Sequence, residues 1–284
     1  MDLAPQVAQA FPTMPILLAL MAGMTFAYMR HYFTARVRYA EDLEERLEVP
    51  VLAGVYRQNK ARFPFLKSAP ELSGTELCNH LMANLHHYSR QEKRRVQLLV
   101  VTSMTPGEGK SFVSRHLATA LAESGNQVLL IDADLRYPRM HQQLGTPISP
   151  GLAEALQGDD LQIHEMAESG LYFMPAGKNA QQLLFRGFGP DFSVLVEMLR
   201  LSYDYIIVDT PPIGLFQEQS PWLQAADLNL FLLRADYTKT RLLRAIKKQL
   251  KELAGIPLRL VLNDTLRSRT LPGYKRLLKK YYRA

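Results

Sequence analysis

From residue 96 onward, short unbroken apolar runs alternate with longer segments whose apolar positions recur every three or four residues. The runs at 96–101, 127–131, 171–174, 205–208, 228–233 and 258–262 are rich in Val, Ile and Leu, the pattern of strands buried on both faces. Segments 112–121 and 240–253 carry helical periodicity, and 76–88 predicts a further helix ahead of the first run. Strands alternating with helices predict an α/β fold with a mostly parallel sheet covered by helices on both faces.

Three of these runs end in polar residues suited to phosphate or metal chemistry. The first runs into Thr102-Ser103-Met104-Thr105-Pro106-Gly107-Glu108-Gly109-Lys110-Ser111 and then a helix. Gly107 and Gly109 let the backbone turn N–H groups inward, and the helix N-terminus adds partial positive charge where a polyphosphate would sit. Lys110 is placed to reach the phosphates and the Ser111 hydroxyl to ligate Mg²⁺. A P-loop has glycine where this chain has Met104, so the stretch by itself also fits an ordinary glycine turn between strand and helix. The second run ends in Asp132-Ala133-Asp134-Leu135-Arg136 and the fourth in Asp209-Thr210-Pro211-Pro212. A single Asp in such a place commonly caps the next helix or turn. In open α/β sheets, however, ligands bind at the carboxyl ends of strands. A phosphate cradle, a hydroxyl for Mg²⁺ and carboxylates at three strand ends are together what phosphoryl transfer needs.

The front of the chain has a different character. Residues 11–29 are almost wholly apolar and uncharged, and as a helix would extend about 28 Å, enough to cross a bilayer. The residues before them hold no Lys or Arg, unlike a cleaved signal peptide. Arg30, Arg36 and Arg38 follow, so the positive-inside rule predicts a single-pass protein of the bacterial inner membrane, with its N-terminus periplasmic and the rest cytoplasmic. Residues 40–48 then read as a short acidic helix stopped by Pro50, and residues 56–73 as a basic linker with Pro64 and Pro70. The expected organisation is residues 1–38 with the transmembrane helix, 39–75 as juxtamembrane helix and linker, 76–266 as the P-loop domain, and 267–284 as a basic tail.

Composition narrows the partners. The 284 residues are 47% hydrophobic and 21% charged, as in ordinary folded proteins, and carry a net charge of +7. Part of that charge lies in the tail and part behind the first apolar run, which points to an anionic membrane surface. No helix-turn-helix or zinc pattern accompanies it, and no nucleic acid is expected. Cys78 is the only cysteine, which rules out a disulfide within the chain and fits a cytosolic globular part.

The three motifs resemble the Walker A, A′ and B motifs of the bacterial tyrosine kinases (BY-kinases), P-loop ATPases of the Min/Par-like fold. Residues 103–111 are similar to their Walker A, including Pro106-Gly107-Glu108; 131–136 resemble A′, and 206–212 resemble Walker B. Thr105 stands where the related positioning ATPases carry a signature lysine, which argues against that branch. The resemblance runs from about residue 76 to residue 263. It implies ATP and Mg²⁺ as cofactors, with Thr105, Pro106, Gly107, Glu108, Gly109, Lys110, Ser111, Phe112, Arg136 and Asn263 around the nucleotide. It further implies Ser111 and Asp209 as Mg²⁺ ligands, Asp132 as an outer-sphere ligand and Asp134 as the base for an incoming tyrosine. The segment 11–48 looks like the last membrane helix of a Wzz-like polysaccharide co-polymerase. The fused family members carry a first membrane helix and a periplasmic domain before that point. Co-polymerase, export or synthase membrane proteins are therefore expected partners, another polypeptide supplying that part.

Two features shape the functional expectation. Family members carry a Glu-x-x-Arg-x-x-Arg docking pattern on the helix before the P-loop strand; here Glu76 is followed by Asn79 and Met82. Neither replaces a guanidinium fork, so any homo-oligomer is expected to use a non-standard interface. The tail holds Tyr274, Tyr281 and Tyr282 as phosphoacceptor candidates, and also reads as a basic amphipathic helix for an anionic bilayer. The expectation is a membrane-anchored tyrosine autokinase regulating bacterial exopolysaccharide or capsule biosynthesis and export. The alternative is a nucleotide-binding regulatory or scaffold protein that transfers little phosphate.

Overall fold

The computed structural model describes residues 13–56, 74–159, 161–167, 170–178, 183, 187–189, 191–216 and 218–265. The strands are β1 (Val51–Tyr56), β2 (Leu98–Ser103), β3 (Val128–Asp132), β4 (His164–Glu165), β5 (Leu171–Met174), β6 (Tyr205–Asp209), β7 (Leu228–Arg234) and β8 (Leu258–Thr265). The helices are α1 (Thr13–Thr34), α2 (Ala40–Leu47), α3 (Gly74–Gln91), α4 (Lys110–Glu123), α5 (Met140–Leu144), α6 (Leu152–Ala155), α7 (Asp191–Ser202), α8 (Ser220–Ala225) and α9 (Leu243–Glu252). The strands form one sheet in the order β1-β8-β7-β2-β6-β3-β5-β4, parallel throughout except for the antiparallel β4–β5 pair at one edge.

Side chains alternate between two layers, as the period of a strand requires. From β2, Leu98 and Val100 face a core completed by Leu43 of α2, Trp222 of α8 and Ile246 of α9, whereas Leu99 and Val101 face Leu81 of α3 and Leu117 of α4. Cys78 is buried in the second layer, and burial pushes its thiol up to about 12, so it stays protonated. All six runs expected as strands are strands, and β2, β3 and β6 lie side by side with their carboxyl ends on one edge. That edge carries the three polar motifs.

The front of the chain departs from expectation. Residues 39–75 were expected to precede the domain, yet α2 buries Leu43 and Leu47 in the first core layer and β1 pairs with β8 as the edge strand. An amphipathic helix eight residues long gains its stability from such burial. Ahead of it, residues 35–40 dock on the β7–α9 loop: Val37 N donates to Thr238 O (2.9 Å), Asp236 N to Val37 O (2.8 Å) and Thr240 N to Ala35 O (3.0 Å). Arg38 pairs with Asp236 (2.8 Å). The expected membrane segment forms α1, whose Ile16, Leu18, Met21, Met24 and Phe26 are exposed. Among the described residues no helix is long and apolar enough to cross a membrane, and residues 1–12, where the expected span begins, lie outside them. The linker 57–73 and Tyr274, Tyr281 and Tyr282 also lie outside the described residues.

Asp227 ties the amino-terminal ends of the strands together. Its carboxylate accepts from the backbone N–H groups of Gln97 (3.0 Å) and Leu98 (2.8 Å) and from Arg200 (2.8 Å). Burial alone would raise this carboxyl, but the Arg200 fork and the two backbone donors outweigh it, and its pKa lies below the ordinary Asp range. Its stabilisation is therefore present above the unfolded pKa and lost as pH falls through the lower folded value. Asp227→Asn is expected to cost roughly 2–4 kcal/mol at pH 7. In urea titrations across pH the difference from wild type should narrow as pH falls below about 4.

Candidate functional site

The loop between β2 and α4 is held in shape by contacts from the neighbouring strand ends. Gly107 (φ 83°) and Gly109 (φ 93°) occupy the left-handed region. A Cβ at Gly107 would lie 2.7 Å from Tyr237 Oη, and one at Gly109 would collide with Asn263 Nδ2, so both positions require glycine. Tyr237 Oη donates to Pro106 O (3.1 Å), Arg234 Nη1 to Gly107 O (3.0 Å) and Asn263 Nδ2 to Glu108 O (2.9 Å). The Glu108 side chain is fully buried and turned away from the cavity: Thr238 Oγ1 donates to one oxygen (2.6 Å) and Thr105 N to the other (2.9 Å). Burial raises its pKa, and those hydrogen bonds oppose the rise.

No side chain caps the first turn of α4. Its leading N–H groups therefore face the loop's concavity as an anion cradle. Lys110 lies within it, and its Nζ donates to Ser103 Oγ (3.2 Å). Burial lowers the Lys110 pKa, while Asp209, Asp134 and Glu108 hold it up.

Asp132 and Asp209 end neighbouring strands and are partners in the β3–β6 register. Both are buried, at 1% and 2% exposure, although each carries a group that normally ionises at neutral pH. Asp132 accepts from the N–H groups of Asp134 (3.2 Å) and Met140 (3.3 Å), and Asp209 from the hydroxyls of Ser114 (3.1 Å) and Ser111. Burial, and then the neighbouring Asp209, pushes Asp132 up to about 8; burial pushes Asp209 up to about 6 against the opposing pull of Ser111 and Lys110. Half-buried Asp134 lies between this pair and solvent, with Tyr137 N donating to its Oδ1 (3.1 Å).

A cavity of about 530 Å³ joins these parts, lined by Pro106, Gly107, Lys110, Ser111, Asp132, Asp134 and Asp209 on the motif side. Pro212 of the third motif lines it too, and the rest of its other wall, absent from the sequence expectations, is Tyr137, Arg139, Met140 and Gln143 after β3 and Leu215 and Phe216 after β6. The only local sign of that wall was its position directly behind two acidic strand ends. The loop supports Arg234, Tyr237 and Thr238 were missed as well, although they too follow the carboxyl end of a strand.

Other expected site residues sit elsewhere. Thr105, Glu108 and Gly109 shape the loop from behind. Phe112 packs edge-on against His116 (4.4 Å) and the second core layer. Arg136 is engaged by Glu218 (2.5 Å) and lies over the Phe216 ring (4.3 Å). Both ends of the Asn263 amide are used within the protein, Nδ2 on the loop and Oδ1 accepting from Asp264 N (2.8 Å). On α3, Asn79 is exposed and Met82 packs against the second core layer, so neither occupies a docking-arginine position with a cation.

The donor set fits a hard divalent cation. Among the described residues there is no cluster of three or more His, Cys, Asp or Glu side chains that could hold a metal. Mg²⁺, however, takes one or two carboxylates and completes its shell with phosphate oxygens and water. Ser111 and Asp209 in contact, with Asp132 alongside, supply that arrangement, and burial makes ionising the pair costly unless a cation offsets the charge.

The sequence profile of the CobQ/CobB/MinD/ParA nucleotide binding domain matches residues 99–281. Tyrosine-protein kinase CpsD of Streptococcus agalactiae serotype Ia is 32% identical over 200 residues, covering 68% of this chain and 83% of CpsD. The chain belongs to the bacterial tyrosine-kinase branch of this nucleotide-binding family. Tyrosine-protein kinase Ptk of Acinetobacter johnsonii is 29% identical over 288 residues, covering 94% of this chain but only 38% of Ptk. The kinase domain of the Escherichia coli tyrosine kinase Etk superposes with a TM-score of 0.67 at 25% identity, covering 83% of this chain and 98% of that domain. The tyrosine-kinase fold therefore covers the sheet and all three motifs.

The acidic pair sets a pH response. Both carboxyls keep their proton to higher pH in the folded chain than in the unfolded one. Their contribution is largest below about pH 4 and is lost as pH rises through about 6 and about 8. Thermal melts of the Mg²⁺-free, nucleotide-free protein should fall in midpoint between pH 5 and 8.5. Asp132→Asn should flatten that slope and stabilise the apo protein by about 1–3 kcal/mol at pH 8.

Proposed function

We propose that this chain is an ATP- and Mg²⁺-dependent protein tyrosine autokinase, anchored in the bacterial inner membrane, that regulates exopolysaccharide or capsule biosynthesis and export. The observation that carries the reading is the buried Asp132–Asp209 pair facing Lys110 across the mouth of an uncapped helix. Family membership supports it, as does Asp134 at the open side of the same cavity.

In the proposed reaction the α4 N-terminus and Lys110 bind and orient the β- and γ-phosphates of ATP. Ser111 and Asp209 would hold Mg²⁺, supported by Asp132, and the ion would supply positive charge against the phosphates and the buried carboxylates. The tyrosine oxygen attacks the γ-phosphorus in line, its bond to phosphorus forming as the bond to the β,γ-bridging oxygen breaks, and ADP leaves with that electron pair. Asp134 orients the phenol and accepts its proton. Positioning and charge stabilisation supply most of the acceleration.

The polysaccharide role and its membrane partners rest on the likeness of residues 11–48 to a co-polymerase. The membrane orientation rests on Arg30, Arg36 and Arg38 behind the apolar helix. A second reading, nucleotide binding as a signal with little transfer, is favoured by one observation: Asn79 and Met82 replace the arginines through which family members dock on one another. Incubation of the detergent-solubilised full chain with ATP and Mg²⁺ separates the two. Mass spectrometry should find phosphate on Tyr274, Tyr281 or Tyr282, and Lys110→Met should reduce it at least about 100-fold. Measurable nucleotide binding without tyrosine labelling would select the second reading.

A further inference from the structure

Beside the catalytic cavity lies a second one of about 570 Å³. The two share the side chains of Leu215 and Phe216, which stand between them as a wall. The far side is apolar, formed by Leu183, Phe188 and Pro221, and the rim is the Arg136–Glu218 ion pair. Glu218 is 10% exposed, and its carboxylate and the guanidinium neutralise one another, so the rim adds little net charge to a recess with room for an aromatic ring. That volume and lining suit an aromatic or aliphatic side chain.

We propose that this second cavity is the acceptor subsite, which takes the aromatic ring next to the reacting tyrosine, and that its occupant is the Tyr281-Tyr282 doublet of the tail. The proposal rests on the tyrosine-kinase reading above and adds to it how the acceptor is selected. Adjacent residues of an extended segment point to opposite sides. One ring of a doublet therefore enters the reaction cavity while its neighbour enters the recess across the Leu215–Phe216 wall. The tail departs from the carboxyl end of β8, the sheet edge on which both cavities open. The chain from Thr265 to Tyr281 reaches at most about 55 Å, which spans the edge. Lys279, Lys280 and Arg283 flank the doublet and complement Asp134 of the reaction cavity.

The test uses the full chain in detergent with ATP, Mg²⁺ and synthetic peptides of residues 273–284 carrying Tyr274→Phe. Replacing one tyrosine of the doublet by Ala is expected to raise KM for the other about tenfold or more at little cost in kcat, whereas Phe in the same place keeps KM within about twofold. Leu183→Trp and Pro221→Phe, which fill the recess from two sides, should each abolish the difference between Phe and Ala peptides. Equal KM for Ala and Phe peptides on the wild-type chain overturns the subsite. Peptide binding in the presence of a non-hydrolysable ATP analogue gives an independent arm. Discrimination between Phe and Ala in binding, without any transfer, would defeat the kinase reading and leave the subsite standing; its absence there would defeat the subsite.

Discussion

Two carboxylates buried side by side impose the constraint on which this molecule is arranged. Asp132 and Asp209 end adjacent parallel strands in register, so the sheet itself fixes their approach. Adjacent strands lie about 4.8 Å apart, and like charges at that distance repel by roughly 3 kcal/mol at an effective dielectric of 20. The fold answers with donors: two backbone N–H groups on Asp132, two hydroxyls on Asp209 and the ammonium of Lys110 nearby. These do not cancel the cost, since both pKa values remain raised. The apo site thus carries an electrostatic cost that a bound cation would lower.

The phosphate loop inherits its shape from outside itself. Four side chains in or just after the carboxyl ends of β7 and β8, Arg234, Tyr237, Thr238 and Asn263, hold the backbone or the Glu108 carboxylate of a loop more than a hundred residues earlier. The same β7–α9 loop receives residues 35–38 through backbone bonds and the Arg38–Asp236 pair. The stretch leaving α1 and the loop that would hold phosphate therefore lean on one support.

What the sequence revealed, and what it hid, follows from the range of the forces involved. Strands β2, β3 and β6, with Ser111 at the start of the helix after β2 and Asp132 and Asp209 ending the other two, were legible because runs of Val, Ile and Leu broken by glycine or acid are local signals. β1 showed in the sequence only as an extended apolar segment after Pro50; its place in the sheet was hidden because an edge strand is defined by its partner, here β8. Arg136 and Asn263 were placed at the nucleotide because their motifs place them near it. The structure engages Arg136 with Glu218 and Asn263 with the loop, pairings that depend on residues 82 and 155 positions away. The far wall of the cavity, Tyr137 to Gln143 and Leu215 with Phe216, carries no motif at all. It is recognisable as a wall only once β3 and β6 are neighbours.

This contrast separates the two ends of the proposed reaction. The nucleotide end is over-determined: its glycines tolerate no Cβ, its loop is held by four side chains and its carboxylates lie in a sheet register. The acceptor end is built from the short segments that follow β3 and β6, with Phe216 and Arg136 stacked on one another and Glu218 closing the pair. Substitutions there change shape without disturbing the buried charge centre, because none of these side chains contributes to holding Asp132 or Asp209. On the proposed reading, the choice of tyrosine therefore falls to Phe216 and Glu218, which no motif includes, acting with Arg136 at the end of the second motif.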